Sequence, residues 1–214
     1  MNKVNYHKEF LKTMERAGAD SNLYLHACCA PCSSHVLDLL KGKTHITVFY
    51  YNPNITEELE YSKRKEELSR LIASMNDEYP GIEINFVPGN FEPEKFLEAA
   101  KGLEDVPEGG KRCEKCFFLR LKETALMAKE AGADFFTTTL TISPLKNAEK
   151  INEIGKQIEM ETGVCYLPSD FKKNEGYKHS IELSKKYDLY RQDYCGCPFS
   201  KAESIKRRES KNIG

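Results

Sequence analysis

Apolar positions along the chain switch between a period of two and the spacing of a helical stripe. Asn22 to Ala27 (NLYLHA), Thr44 to Tyr51 (THITVFYY), Ile82 to Pro88 (IEINFVP), Phe135 to Ile142 (FFTTTLTI) and Val164 to Leu167 are short runs that predict strands. Phe135 to Ile142 is the strongest of these. Between them lie longer stretches with helical spacing. Val36, Leu37, Leu39 and Leu40 mark one in Ser33 to Leu40, and Leu59, Leu68, Leu71 and Ile72 mark an amphipathic helix in Thr56 to Met75 opened by Thr56. Further helices are expected at Glu92 to Leu103, begun at Pro93, at Cys116 to Ala131, capped by Gly132, and at Asn147 to Glu161, ended by Gly163. From Lys172 the chain reads as helix to Tyr187, irregular through Pro198, then a polar helix. This alternation predicts an α/β fold, a parallel sheet with helices on both faces joined by right-handed crossovers. Residues 1–214 form a single domain in this reading, with residues from about 172 onward as a C-terminal helical appendage. Ligands of such sheets gather at the carboxyl ends of the strands.

Composition narrows the function. A chain of 214 residues can bury a core without disulfide staples. Its 32 basic and 33 acidic side chains leave no global positive charge, so nucleic-acid binding must rest on local patches. Met1 to Ala17 carries charge throughout and no run of 18 apolar residues occurs, which implies a soluble, unexported, cytoplasmic protein with no membrane partner.

In a reducing compartment, eight cysteines stay thiols unless a metal or a catalytic cycle claims them. Cys28, Cys29 and Cys32 end the first strand, and Pro31 suits the first turn of the next helix, so Cys32 is expected to feel the helix N-terminus, which favours thiolate. Cys113-Glu114-Lys115-Cys116 is a C-x-x-C at a loop-to-helix junction. Together the two clusters supply thiolates for a Cys₄ zinc site or an iron–sulfur cluster; the adjacent Cys28-Cys29 favours [4Fe–4S] over zinc, which usually takes two matched knuckles. In Cys195-Gly196-Cys197 the glycine permits the turn that would bring both sulfurs together in a strained, readily reduced ring. That pattern suits a redox dithiol first, ligation of a second metal next, an idle pair last. Cys165, in an apolar strand, reads as core.

The motifs LHACCAPCSSHVL (Leu25 to Leu37), FYYNPNI (Phe49 to Ile55), RCEKCFFLRL (Arg112 to Leu121), FTTTLTISPLKN (Phe136 to Asn147), DFKKNEGY (Asp170 to Tyr177) and LYRQDYCGCPFS (Leu189 to Ser200) span nearly the whole chain. Through them it resembles the cobalamin-independent epoxyqueuosine reductases (QueH family). The resemblance implies reduction of epoxyqueuosine to queuosine at the wobble position of tRNA. It also implies a nucleotide α-hydrolase-like (HUP-like) sheet, an iron–sulfur cluster, an additional mononuclear iron beside it, and an unidentified electron donor. Carried over, the pattern implies cluster ligation by Cys28, Cys29, Cys113 and Cys116, a redox pair in Cys195 and Cys197, and Cys32 with a carboxylate such as Asp170 or Asp193 toward the second iron. An epoxide oxygen leaves as water with two electrons and two protons, which a closing dithiol can supply.

Other residues carry weaker expectations. Tyr190, Arg191 and Tyr194 could stack on a splayed anticodon base, or the two tyrosines could simply pack in the fold. Thr138 and its neighbours Thr137 and Thr139, at a strand's carboxyl end, could bind phosphate or sugar, although threonine is also an ordinary strand residue. The clusters Lys63-Arg64-Lys65, Lys172-Lys173, Lys185-Lys186 and Lys206-Arg207-Arg208 suit RNA phosphates, or are solvated helix faces. His26, His35 and His179 read as packed residues. Two rival functions compete: a cluster-dependent tRNA sulfur-transfer enzyme, which would want a glycine-rich phosphate loop where the cysteines stand, and a zinc-stabilised RNA-binding module.

Overall fold

A computed structural model describes residues 4–212. Five parallel strands, β1 (Asn22–His26), β2 (His45–Tyr50), β3 (Ile84–Pro88), β4 (Phe135–Thr138) and β5 (Cys165–Tyr166), lie in the order β3-β2-β1-β4-β5. This is a doubly wound α/β sheet whose switch point falls between β1 and β4.

Alternation along the strands sends successive side chains to opposite faces, and each face has its own core. Leu23, Leu25, Ile46, Val48 and Tyr50 pack with Phe10 of α1 (Tyr6–Ala17), Leu37 of α2 (Ala30–Leu40) and Leu71 of α3 (Glu58–Glu78). Tyr24, Phe49 and Phe136 point the other way, toward Leu121 and Ala125 of α5 (Lys111–Glu130) and Ile158 of α6 (Ala148–Thr162). The short α4 (Pro93–Ala100) begins at the expected proline, and Phe96 on it joins Cys116 and Cys197 in a small third cluster. No helix among the described residues is long and apolar enough to cross a membrane.

Several boundaries differ from expectation. Helix α1 had no counterpart in the pattern, because its buried stripe is only His7, Phe10 and Met14 among charged neighbours. The run Phe135 to Ile142 is not one strand: β4 stops at Thr138 and a 3-10 turn over Thr139–Ile142 follows, held where the Thr138 hydroxyl accepts the Leu140 N–H at 3.1 Å. Helix α3 starts at Glu58, with Thr56 outside it and no side-chain cap at Glu57. The helix expected from Lys172 begins at Gly176 as α7 (Gly176–Lys186), since Asn174 and Glu175 adopt left-handed backbone angles, φ 51° and 61°. Helix α7 packs on α2, where His35 Nδ1 meets His179 Nδ1 at 3.0 Å. Beyond it an irregular segment leads to α8 (Pro198–Asn212).

That segment is strapped to α3. Arg70 donates to the carbonyls of Tyr187 and Asp188, Glu67 accepts the Tyr190 N–H at 2.6 Å, and Arg64 donates to the Cys195 carbonyl at 3.2 Å. Asn54, after β2, reaches the same Cys195 carbonyl at 3.3 Å. The straps return the last part of the chain to the carboxyl end of the sheet.

Candidate active site

The loop leaving β1 places three sulfurs together. Cys29 is the extended N-cap residue of α2, Pro31 occupies its first turn, and Cys32 follows one turn in. The Sγ atoms of Cys28, Cys29 and Cys32 all lie within 4.8 Å of one another, with Cys28 and Cys29 at 3.9 Å. Across the switch point Thr139 accepts the Cys28 N–H at 3.2 Å and turns its hydroxyl to Cys28 Sγ at 3.5 Å. Hydrogen bonds from Cys29 and Cys32 hold the Cys28 thiol well below the usual range, while sharing with Cys28 pushes Cys29 up to about 12 and Cys32 well above its usual range. The three sulfurs form one coupled set whose mutual hydrogen bonds favour a single thiolate.

The triad floors a cavity of about 310 Å³. Its walls come from Lys146 and Leu145 after β4, Tyr177 and Ser180 of α7, and residues 191–195 of the strapped segment. Next to it lies a narrow void of about 20 Å³ lined by Cys113, Cys116, Cys195 and Cys197 with Phe96 and Phe117. Cys195 lines both spaces, and so does Lys146. Gly196 makes the C-x-C turn with φ 117°, and a Cβ there would stand 2.7 Å from Ile55, so the turn requires glycine. All eight cysteines are free thiols. Burial raises the Cys113 and Cys197 thiols and pushes Cys116 up to about 12.

Buried cations face these sulfurs. Arg120, fully buried on α5, donates to Asn52 Oδ1 and lies 3.9 Å from Cys116 Sγ. Arg64 is 2% exposed and ion-paired with Glu60 at 2.7 Å. Burial opposes the charge of Lys146, but Cys195, Cys28 and Cys32 outweigh it and hold the ammonium above its usual range. A crowded, uncrosslinked thiol set with cations to balance deprotonated sulfur can hold a thiophilic metal.

The sequence expectations divide. Cys28 and Cys29 come together with Cys32, whereas Cys113 and Cys116 face Cys195 and Cys197. Arg191 and Tyr194 line the main cavity. Tyr190 does not: its ring lies under Lys63 Nζ at 3.5 Å and its hydroxyl points to Glu60. Thr138 is fully buried and bonded to His26 Nδ1 at 2.8 Å, which occupies its hydroxyl inside the fold. Asp170 faces a separate cavity of about 400 Å³, ion-paired with Lys172 at 2.8 Å. Asp193 borders the main cavity, and its bonds from Arg208 and Ser204 hold its carboxyl down to about 2. Cys165 is half-buried in the edge strand β5 rather than deep in the core. Lys186, Arg207 and Arg208 of the basic clusters are ion-paired on the surface. Sequence reasoning missed Lys146, Arg120, Tyr177 and Asn54; one signal was available in Arg120, a charge four residues after Cys116 that interrupts the apolar run Phe117 to Leu121.

Metal-competent thiols at the switch point of a doubly wound sheet, beside a second thiol pair, define a thiol-based α/β redox protein. Comparison with known sequences makes the class specific. A family model described as "Epoxyqueuosine reductase QueH" matches residues 23–203. Several curated proteins of that name are similar over most of their length. The one from Staphylococcus epidermidis is 42% identical over 203 residues, 92% of this chain and 85% of that protein. The Streptococcus pyogenes protein is 39% identical, with 92% and 78% covered, and that of Thermotoga maritima 39%, with 86% and 91%. The chain belongs to the epoxyqueuosine reductase QueH family, a family of oxidoreductases.

Proposed function

We propose that the protein reduces epoxyqueuosine to queuosine at the anticodon wobble position of tRNA. The observation that carries this reading is the 310 Å³ cavity floored by Cys28, Cys29 and Cys32 and walled by Cys195. Its volume suits one nucleoside turned out of a loop, and the exposed Tyr177 at its wall offers a stacking face. A [4Fe–4S] cluster would be held by Cys28, Cys29, Cys113 and Cys116, with Cys32 left to serve an additional mononuclear iron. Such iron would supply single-electron transfer and a Lewis acid for the epoxide oxygen.

The chain's own residues account for the rest. Arg64 and Asn54 hold the Cys195 carbonyl and so fix that thiol at the junction of both spaces. Closing Cys195 and Cys197 to a disulfide releases two electrons and two protons. Those are the two electrons and two protons needed to convert the epoxide to an alkene and water, after which an external donor reopens the disulfide. Arg191 is steadied by Ser184 at 2.9 Å and meets the incoming RNA.

The test is anaerobic: iron-reconstituted protein, epoxyqueuosine-containing tRNA and dithionite are incubated, and the RNA is digested to nucleosides. Queuosine is the expected product. Colourless protein with stoichiometric zinc and no queuosine would refute the reading in favour of a zinc-stabilised RNA-binding module.

A further inference from the structure

Lys146 stands at the meeting of three spaces: the triad cavity, the narrow thiol void and the 400 Å³ cavity that holds Asp170. Its backbone is fixed on both sides. The Lys146 N–H closes a turn onto the Ser143 carbonyl at 3.2 Å, and the next residue, Asn147, caps α6 by accepting from Glu149 and Lys150 at 2.9 and 3.3 Å. The other cations lining the triad cavity already have partners: Arg64 holds Glu60 and the Cys195 carbonyl, and Arg191 holds Ser184. Lys146 Nζ has no carboxylate within ion-pair distance and no hydrogen-bond partner among the described residues. Glu108, which also borders both thiol spaces, is engaged by Arg207 at 3.5 Å. A half-buried cation with a fixed backbone that borders two thiol-lined spaces and is free of acids differs from the other cations lining them, Arg64, Arg112 and Arg191, which are all engaged.

We infer that Lys146 is a catalytic residue of the reduction, donating a proton to the epoxide oxygen as it leaves and regaining it from the Cys195–Cys197 thiols. This rests on the proposed epoxyqueuosine reduction. Both C–O bonds of the epoxide break and a carbon–carbon double bond forms. Two thiols become one disulfide, giving two electrons to the carbons and two protons to the oxygen, which departs as water. Lys146 begins and ends protonated, carrying a proton from the thiol void to the triad cavity. Position supports the relay, since the ammonium is the described cation bordering both spaces without a partner.

The experiment compares wild type with Lys146→Met, Lys146→Arg and Glu108→Gln. Readouts are kcat and KM for epoxyqueuosine-containing tRNA, iron content, and tRNA affinity by anisotropy on metal-free protein. The expected result for Lys146→Met is a kcat roughly 10²-fold lower or more, the usual loss for a general acid, with KM, iron content and affinity within about twofold. Lys146→Arg should recover part of the rate, because a guanidinium donates a hydrogen bond but releases its proton poorly. Three results overturn the assignment: a Lys146→Met rate within threefold of wild type, a loss that follows iron content, or a collapse on Glu108→Gln that exceeds that of Lys146→Met. Iron-loaded wild type inert on epoxyqueuosine sinks both this inference and the proposed function, whereas active wild type with equally active Lys146→Met sinks this one alone.

Discussion

Gly176 is where α7 meets the rest of the fold, and its replacement by alanine has a calculable effect. A Cβ at this position would lie 2.0 Å from the Phe171 carbonyl oxygen and 2.6 Å from His35 Nε2. Ordinary contact begins near 3.4 Å, and the nearer atom is backbone, so the start of α7 must move by about 1 Å rather than let a side chain swing aside. Overpacking of this kind costs about 1–3 kcal/mol. Alanine's helix propensity recovers well under ~1 kcal/mol at a first helical residue. For a chain of this size each kcal/mol lowers Tm by about 2–4 °C, which predicts a fall of roughly 1–10 °C. Melting followed by circular dichroism on reduced, metal-free protein measures it. Gly132→Ala is the comparison, since Gly132 has φ 66° but nothing within 4 Å, so its cost of about 1–2 kcal/mol is conformational alone. Because Tyr177 and Ser180 of α7 line the main cavity, Gly176→Ala should also raise KM more than it lowers kcat. A Gly176→Ala protein that melts with wild type, within about 1 °C, and keeps its KM would refute the claim that α7 is tightly seated there.

Three further perturbations follow from the same contacts. Arg112, 2% exposed, donates to the carbonyls of Leu103, Glu104 and Val106, so Arg112→Met should cost about 2–4 kcal/mol and open residues 101–110 to a glutamyl protease; unchanged cleavage and Tm would contradict this. Cys195→Ser and Cys197→Ser should each retain iron yet lose multiple turnover by roughly two orders of magnitude, about 3 kcal/mol of barrier, and full turnover by either would end the dithiol role. Burial, aided by His179, pushes the His35 imidazole down to about 4, below its unfolded value near 6.5, so the folded state prefers it neutral. Its contribution to stability is complete above pH 6.5 and is lost as the pH falls from there toward 4. The urea midpoint should therefore drop between pH 7 and pH 5, and drop less in His35→Gln; equal slopes would exclude His35 as a source.

Much of this architecture was legible before any coordinates. The parallel sheet follows from strand-length apolar runs alternating with helical stripes, and the cysteine spacing located the triad in the loop after β1. Where sequence reasoning failed, the deciding force was tertiary. Thr139 looks like strand, but its hydroxyl is recruited by the Cys28 N–H across the switch point, and the chain turns. Thr138 and Tyr190 have the chemistry of ligand-binding residues, yet His26 and Lys63 occupy them inside the fold. No spacing rule assigns Cys113 and Cys116 to Cys195 and Cys197, because that grouping depends on how the strapped segment returns to the sheet. Lys146 was invisible for the converse reason: it stands out among the cations lining the thiol spaces by the partner it lacks, and a sequence does not display missing partners.

The straps from α3 and Asn54 to the segment ending at Cys195 also impose an order of events during synthesis. The triad cysteines leave the ribosome early, and the wall that shelters them arrives only after more than half of the chain has followed. At ~5–20 residues per second the three thiols wait, uncovered, for several seconds or longer. Metal captured in that interval would sit on a floor without walls, open to oxidants and competing ligands. A metal held by these thiols is better protected when it is loaded after release, onto a reduced and fully folded chain, and would enter through the opening of the main cavity.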